Sequence, residues 1–505
     1  MDDCVSDFGP DHERPEPWYG ARARFGRASL RTGKDSSMRF STSLALLLAL
    51  SATAFADPDP AHEAQRQAAT KAYDVGNWQG VIDATTPVIT ANPKDNIALH
   101  LRGSAKIELA IVMGDAAMIR EGITDARSAI SAASKPEFNY YLPYLYGMTN
   151  LTRIEDQSSH AQVAVGIADQ LLPQPGITDE QKSNVYYQRA LAKAAMKQTD
   201  AAVADFNAAL AANPKHIASY MAMADLYTET KRNDEAIQAY SAAIKAFPDE
   251  PLVYNNLGML YQNMKKYNEA VRAFTAALQK NPKYDIALTN RGYTWLQGGR
   301  PAEAEKDFAA ALQLNPNQPA VQSLLGTSRL VQGKWQDAAR DFDLIIQKTP
   351  EDVAAHVDAG FARYFGKDYA GAITEFNKVI QMDSNARFIN PWRVWTLIRS
   401  GRKAEATGIA QSSRSRKENE RDWIDWVILF NMGDIPAEEL AARVDKSTPE
   451  IQTAQMCEAR YFIAEQQLAQ GKNQEAASNY EQALRTNKRE LSAWRGASYA
   501  LRRFQ

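Results

Sequence analysis

Of the six histidines, His62, His100, His160, His216 and His356 could each take a proton or bind a metal, and each stands alone in the sequence. None lies within metal-binding spacing of another or of a cysteine, so a zinc-type site is not expected. Histidines placed in this way are expected on a helix surface or in a groove, not as catalytic bases. The two cysteines, Cys4 and Cys457, sit at opposite ends of the chain, and one free thiol is expected. No glycine-rich phosphate loop, Gly-x-Ser-x-Gly elbow or His-Glu-x-x-His pair occurs. Carboxylates such as Asp341 and Asp343 are expected on helix surfaces, paired with Lys or Arg at helical spacing. Arg414, Arg416 and Lys417, followed by Glu418 and Glu420, read as a solvated face. The nearby tryptophans Trp392, Trp395, Trp423 and Trp426 are expected to fill a core. These residues together imply no catalytic residue, no metal and no cofactor, hence not an enzyme.

The elements that carry them follow from length and period. A chain of 505 residues exceeds the usual single core and is either multidomain or a repeat array. A net charge of -2 supplies no field that would gather nucleic acid. Self-comparison decides between the two: Pro214, Pro248, Pro282, Pro316 and Pro350 recur every 34 residues. The alanines Ala202, Ala236, Ala270, Ala304, Ala338 and Ala372 keep the same interval, and four residues after each comes Phe206, Tyr240, Phe274, Phe308, Phe342 or Phe376. Spacings of four and three place these side chains on one stripe of a helix. The first half of each unit carries its own small-residue pair, as in Leu257-Gly258, Arg291-Gly292 and Leu325-Gly326. The pattern is that of a helix hairpin whose small residues let the backbones approach while the ring fills the gap. Asn-Pro before a new unit ends one helix and starts the next.

Residues 251–282 carry Tyr254, Leu257, Gly258, Tyr261, Ala270, Phe274, Ala277 and Pro282. This set resembles the tetratricopeptide-repeat (TPR) family at all eight of its characteristic places, and the pattern repeats six times between 183 and 386. The resemblance implies an all-α TPR-type α-solenoid, a right-handed superhelix of antiparallel helix pairs whose first helices line a groove that takes protein or peptide partners. Carried onto this sequence, the groove places hold Asn184, Tyr187, Met221, Asp225, Asn255, Met259, Gln262, Thr289, Tyr293, Phe361 and Tyr364. Their aromatic, amide and thioether groups suit a peptide backbone and its side chains. The carboxylate clamp of chaperone-binding relatives is absent, because Tyr187 and Leu191 stand at its first pair of places and only Asn256 and Asn290 match its amides.

Outside 183–386 the pattern thins. Residues 57–182 read as divergent hairpins, 387–455 as a divergent helical segment, and 456–505 as a last repeat with a capping helix beyond Leu491. Pro391–Trp395, Trp423–Trp426 and Gly433-Asp434-Ile435 resemble the NlpI family of bacterial envelope adaptors. That resemblance implies docking of peptidoglycan-remodelling enzymes or proteases; the lack of a lipid-attachment cysteine departs from it.

From Met38 the sequence reads as a secretory signal peptide over 38–56, with one charge at Arg39, an apolar run and a cut after Ala56. Residues 1–37 are expected to come from a start assigned too far upstream, the alternative being a cytoplasmic tail on an uncleaved anchor. The expected protein is periplasmic or secreted, without a stable membrane span in the mature chain, and self-association stays open. The expected function is a periplasmic scaffold or adaptor for envelope proteins. The alternatives are an assembly factor for a secreted or membrane cofactor protein such as a c-type cytochrome, and an enzyme with a site in the irregular segments 96–180 or 387–455.

Overall fold

The computed structural model describes residues 62–155, 157–488 and 491–501. The expected signal segment 38–56, the upstream residues 1–37 and Cys4 lie outside the described residues. Those residues contain 25 α-helices and no strand, so the fold is all-α as the repeat pattern requires. They divide between Pro282 and Lys283 into two compact units.

The first unit runs α1 (Glu63–Asp74), α2 (Trp78–Ala91), α3 (Asn96–Met113), α4 (Ala116–Ala132), α5 (Phe138–Glu155), α6 (Ser158–Leu171), α7 (Asp179–Ala195), α8 (Thr199–Ala212), α9 (Ile217–Glu229), α10 (Asn233–Ala246), α11 (Pro251–Asn263) and α12 (Tyr267–Lys280). Odd and even helices pair as hairpins, and the odd helices α1, α3, α5 and α7 each touch the next odd one. The first helices therefore share one face.

The second unit has the hairpins α13 (Asp285–Gln297) with α14 (Pro301–Leu314), α15 (Pro319–Val331) with α16 (Trp335–Lys348), and α17 (Val353–Phe365) with α18 (Tyr369–Met382). The divergent part follows as α19 (Asn390–Arg399), α20 (Lys403–Ser415), α21 (Trp423–Met432) and the short α22 (Ala437–Ala442). It closes with the long α23 (Pro449–Ala469), α24 (Asn473–Arg485) and α25 (Ser492–Leu501).

The period has a direct packing cause. A Cβ added at Gly258 would come within 2.7 Å of the Phe274 ring, and one at Gly360 within 2.4 Å of Phe376. A glycine lets the first helix lie against the ring of the second at that depth, and Phe274, Phe308, Phe342 and Phe376, each opposite such a glycine, are all fully buried. The turn inside each hairpin repeats as well. Lys231 adopts φ 61°, its N–H donates to Thr228 O and the next N–H, of Arg232, donates to Tyr227 O. This pair of bonds caps the orphan carbonyls of the first helix. Lys197, Lys265, Gly299, Gly333 and Lys367 occupy the same left-handed place.

The two helices of a hairpin are also tied by buried ion pairs. Arg102 holds Asp125 through two bonds of 2.8 Å, and Arg189 holds Asp205 at 2.8 and 2.6 Å. Arg291 holds Asp307 at 2.8 and 2.7 Å, and Arg329 holds Asp341 at 2.7 Å. Asp341 is buried, which corrects its expected surface place: Arg329 neutralises it inside the hairpin. Asp343 is only partly covered and pairs with Arg363.

The histidine expectation also needs correcting, since His100, His216 and His356 are buried. His216 bonds Ser219 and Asn184, and His356 bonds Glu375 and the Pro350 carbonyl. Each is placed near the start of a first helix, where the neighbouring hairpin covers it. The tryptophans Trp392, Trp395 and Trp426 are buried, in line with the core reading.

Candidate functional site

In the first unit, four of the expected groove residues are half-buried on the first helices: Tyr187 on α7, Asp225 on α9, and Met259 and Gln262 on α11. Met221 and Asn255 are corrections: they are 3% and 0% exposed, within the packing rather than on the groove surface. A first helix flanked by hairpins on both sides keeps only a narrow stripe free. Asn255 spends its amide N–H on Asn256 Oδ1 at 3.2 Å and on the Met259 sulfur at 3.6 Å. The buried Nε2 of Gln262 meets no acceptor.

The charge of Asp225 acts on Tyr187. The Tyr187 ring packs 5.1 Å from the His216 ring and 6.0 Å from Phe206. Burial, with the Asp225 charge adding to it, pushes its hydroxyl up to about 12. Burial likewise raises the Asp225 carboxyl to about 6, against the lowering effect of the Tyr240 hydroxyl, which donates to it at 2.9 Å. Tyr240, on α10, was not among the expected site residues. Its signal was a tyrosine where the other units have phenylalanine, because a buried hydroxyl needs an acceptor and Asp225 supplies it.

In the second unit Tyr293 on α13 is half-buried, but Phe361 and Tyr364 on α17 are core residues at 4% and 5% exposure. This too is a correction, and its cause is the divergent segment. Trp392 stands 4.9 Å from the Phe361 ring and 5.5 Å from the Tyr364 ring, covering the stripe that would otherwise line a groove. The Tyr364 hydroxyl donates to Glu465 at 3.2 Å, and the Trp395 and Tyr480 side chains donate to the same carboxylate at 3.3 and 2.7 Å. A cavity of about 30 Å³ adjoins this cluster, room for about one water molecule rather than a substrate.

The irregular segment 387–455 brings one titratable group inside. Asp425, fully buried, accepts from Ser413 at 2.7 Å and pairs with Arg387 at 3.0 Å and Arg416 at 2.6 Å. These partners hold its carboxyl below the usual range against the cost of burial. The arrangement joins α20 to α21 and uses up the carboxylate's lone pairs. Among the described residues no group of three or more His, Cys, Asp or Glu could hold a metal ion, and no helix is long and apolar enough to cross a membrane.

Family models described as tetratricopeptide repeat match the chain, one over residues 255–319, 323–387 and 463–505 and another over 193–260. No curated protein matches it. Among solved structures, pilF of Pseudomonas aeruginosa is 22% identical with a TM-score of 0.34, the match covering 41% of this chain and 94% of that one. YrrB, described as a TPR protein with an unusual peptide-binding site, is 20% identical with a TM-score of 0.33, covering 35% and 92%. PilW, described as a type IV pilus biogenesis factor, is 22% identical with a TM-score of 0.33, covering 40% and 93%. No NlpI-family protein stands among these three. With the helix hairpins, the ring-on-glycine contacts and the family models in agreement, the chain is a tetratricopeptide-repeat protein over residues 193–319, 323–387 and 463–505.

Proposed function

We propose that the chain is a scaffold that captures a segment of an envelope protein on the first-helix face of residues 62–282, and that it works in the periplasm or outside the cell. The observation that carries the capture is the set of half-buried Tyr187, Asp225, Met259 and Gln262 on the first helices α7, α9 and α11, which offers ring, carboxylate, thioether and amide groups, with the Gln262 N–H still in need of an acceptor. A peptide backbone supplies such an acceptor, and its side chains fill the spaces between rings. The location rests on the signal-like layout of residues 38–56.

Photo-crosslinking tests both parts. A photoreactive residue placed at Tyr187 or Gln262 in source cells should give the same discrete adduct in the envelope fraction, and one at the exposed Asp234 should give none. Equal adducts from all three positions would remove the groove. Chain found only in the cytoplasmic fraction would remove the location.

A further inference from the structure

The carboxylates inside the hairpins of this protein are paired by rule. Asp125, Asp205, Asp307 and Asp341 are each buried, and each has an arginine nitrogen within 2.6 to 2.8 Å. Glu465, sealed in the core of the second unit, departs from the rule by accepting from the neutral Tyr364, Trp395 and Tyr480 side chains, and Asp225 departs from it with fewer donors. Its single hydrogen-bond partner is the neutral Tyr240 hydroxyl at 2.9 Å, and no Lys, Arg or His among the described residues forms an ion pair with it. The further charge that acts on it is Glu229, of like sign.

A carboxylate removed from water without a cation costs stability, and groups perturbed in this way are enriched at functional sites. The position fits that reading. Asp225 stands on α9, half-buried rather than sealed, and its charge acts on the Tyr187 hydroxyl of the preceding hairpin. Tyr240 offers one O–H, so the carboxylate retains acceptor capacity for a further donor. A ring next to an uncompensated carboxylate suits an ammonium or guanidinium on an apolar stem: the stem packs on the ring and the cation meets the charge.

We infer that Asp225 is the anchor for a lysine or arginine side chain of the captured segment, with Tyr187 as the wall along which its stem lies. The inference rests on the capture reading above and adds the chemistry of the partner: a peptide segment that presents a basic residue.

Selection of a random dodecapeptide display library on the full chain tests it. Peptides selected by the native chain should share a Lys or Arg at one position, and peptides selected by Asp225→Asn should lose that preference. A synthetic peptide from the native selection should bind Asp225→Asn at least tenfold more weakly. The same peptide with norleucine in place of its lysine should bind both chains alike, a control that leaves the protein's folding untouched. Selected peptides without a shared basic residue, or equal binding of the lysine peptide to both chains, would overturn the anchor and leave the groove standing. Recovery of no peptide above background would overturn the groove and the anchor together.

Discussion

Asp225 shows what one residue gives up for a binding role. Its folded-state carboxyl, at about 6, holds a proton more tightly than the ordinary value of 3.8. The ionised form therefore costs stability above pH 6, and that cost disappears as the pH falls from 6 towards 4. The difference corresponds to about 1–3 kcal/mol at pH 7. Asp225→Asn is expected to raise the unfolding free energy at pH 7.5 by about 1 kcal/mol or more and to leave it unchanged near pH 4, as read from urea melts. A loss of stability at pH 7.5 would mean that the carboxylate is compensated in the folded chain. A variant that is more stable yet binds basic peptides less well would be the signature of a residue kept for function.

At the level of the hairpin, the turn is where the sequence departs from its easiest solution. Lys197, Lys231, Lys265 and Lys367 hold φ near 60°, a region in which a Cβ costs roughly 1 kcal/mol, whereas Gly299 and Gly333 fill the same place without that cost. Lys→Gly at 231 or 265 is expected to stabilise the first unit by about 0.5 kcal/mol each, the relief of strain being partly offset by the greater freedom of glycine in the unfolded chain. Thermal melts of the single and double variants check it, and a falling melting temperature would show that the lysine side chains hold the turn by other contacts. The last helix is a second test. On α25, Gly496 presses against the Tyr461 and Phe365 rings, and the Tyr499 ring lies 4.6 Å from Trp335 and 5.2 Å from Phe365. Removing residues 489–505 exposes this aromatic surface, so the second unit is expected to melt earlier and to aggregate. An unchanged melting temperature would mean that α25 is a passenger.

On the scale of the whole chain, stability against acid is a contest of buried groups. His100, with both ring nitrogens lacking partners, and His216 are each held down to about 4 by burial. Each binds a proton more weakly folded than unfolded, so its contribution is complete above about pH 6.5 and is lost as the pH falls from 6.5 to 4, on the order of 3 kcal/mol apiece. Asp225 works in the opposite direction over part of that range. The first unit should therefore lose stability on acidification, and His100→Phe should flatten the acid limb of its stability profile; an acid limb unchanged in that variant would place the titration elsewhere.

The 34-residue spacing of rings, small residues and prolines determined the hairpins and the all-α fold, because each of those contacts is local: Gly258 meets Phe274 sixteen residues on, within one unit. Arg189 with Asp205 and Arg291 with Asp307 stand at the same interval of sixteen residues, yet in the sequence such carboxylates read as helix-surface residues, since Arg102 with Asp125 and Arg329 with Asp341 do not keep that interval. The tertiary structure alone decided which groove places stay open. Phe361 and Tyr364 occupy groove places in the repeat pattern, and what buries them is Trp392, Tyr461 and Glu465, brought from segments without repeat phase. Asp225 likewise has the same sequence signature as any surface aspartate; only the folded chain shows that among the described residues no cation pairs with it and that the Tyr240 hydroxyl donates to it. Local periodicity encodes contacts within a unit, whereas burial and charge compensation depend on which distant segments arrive, and the period carries no record of that.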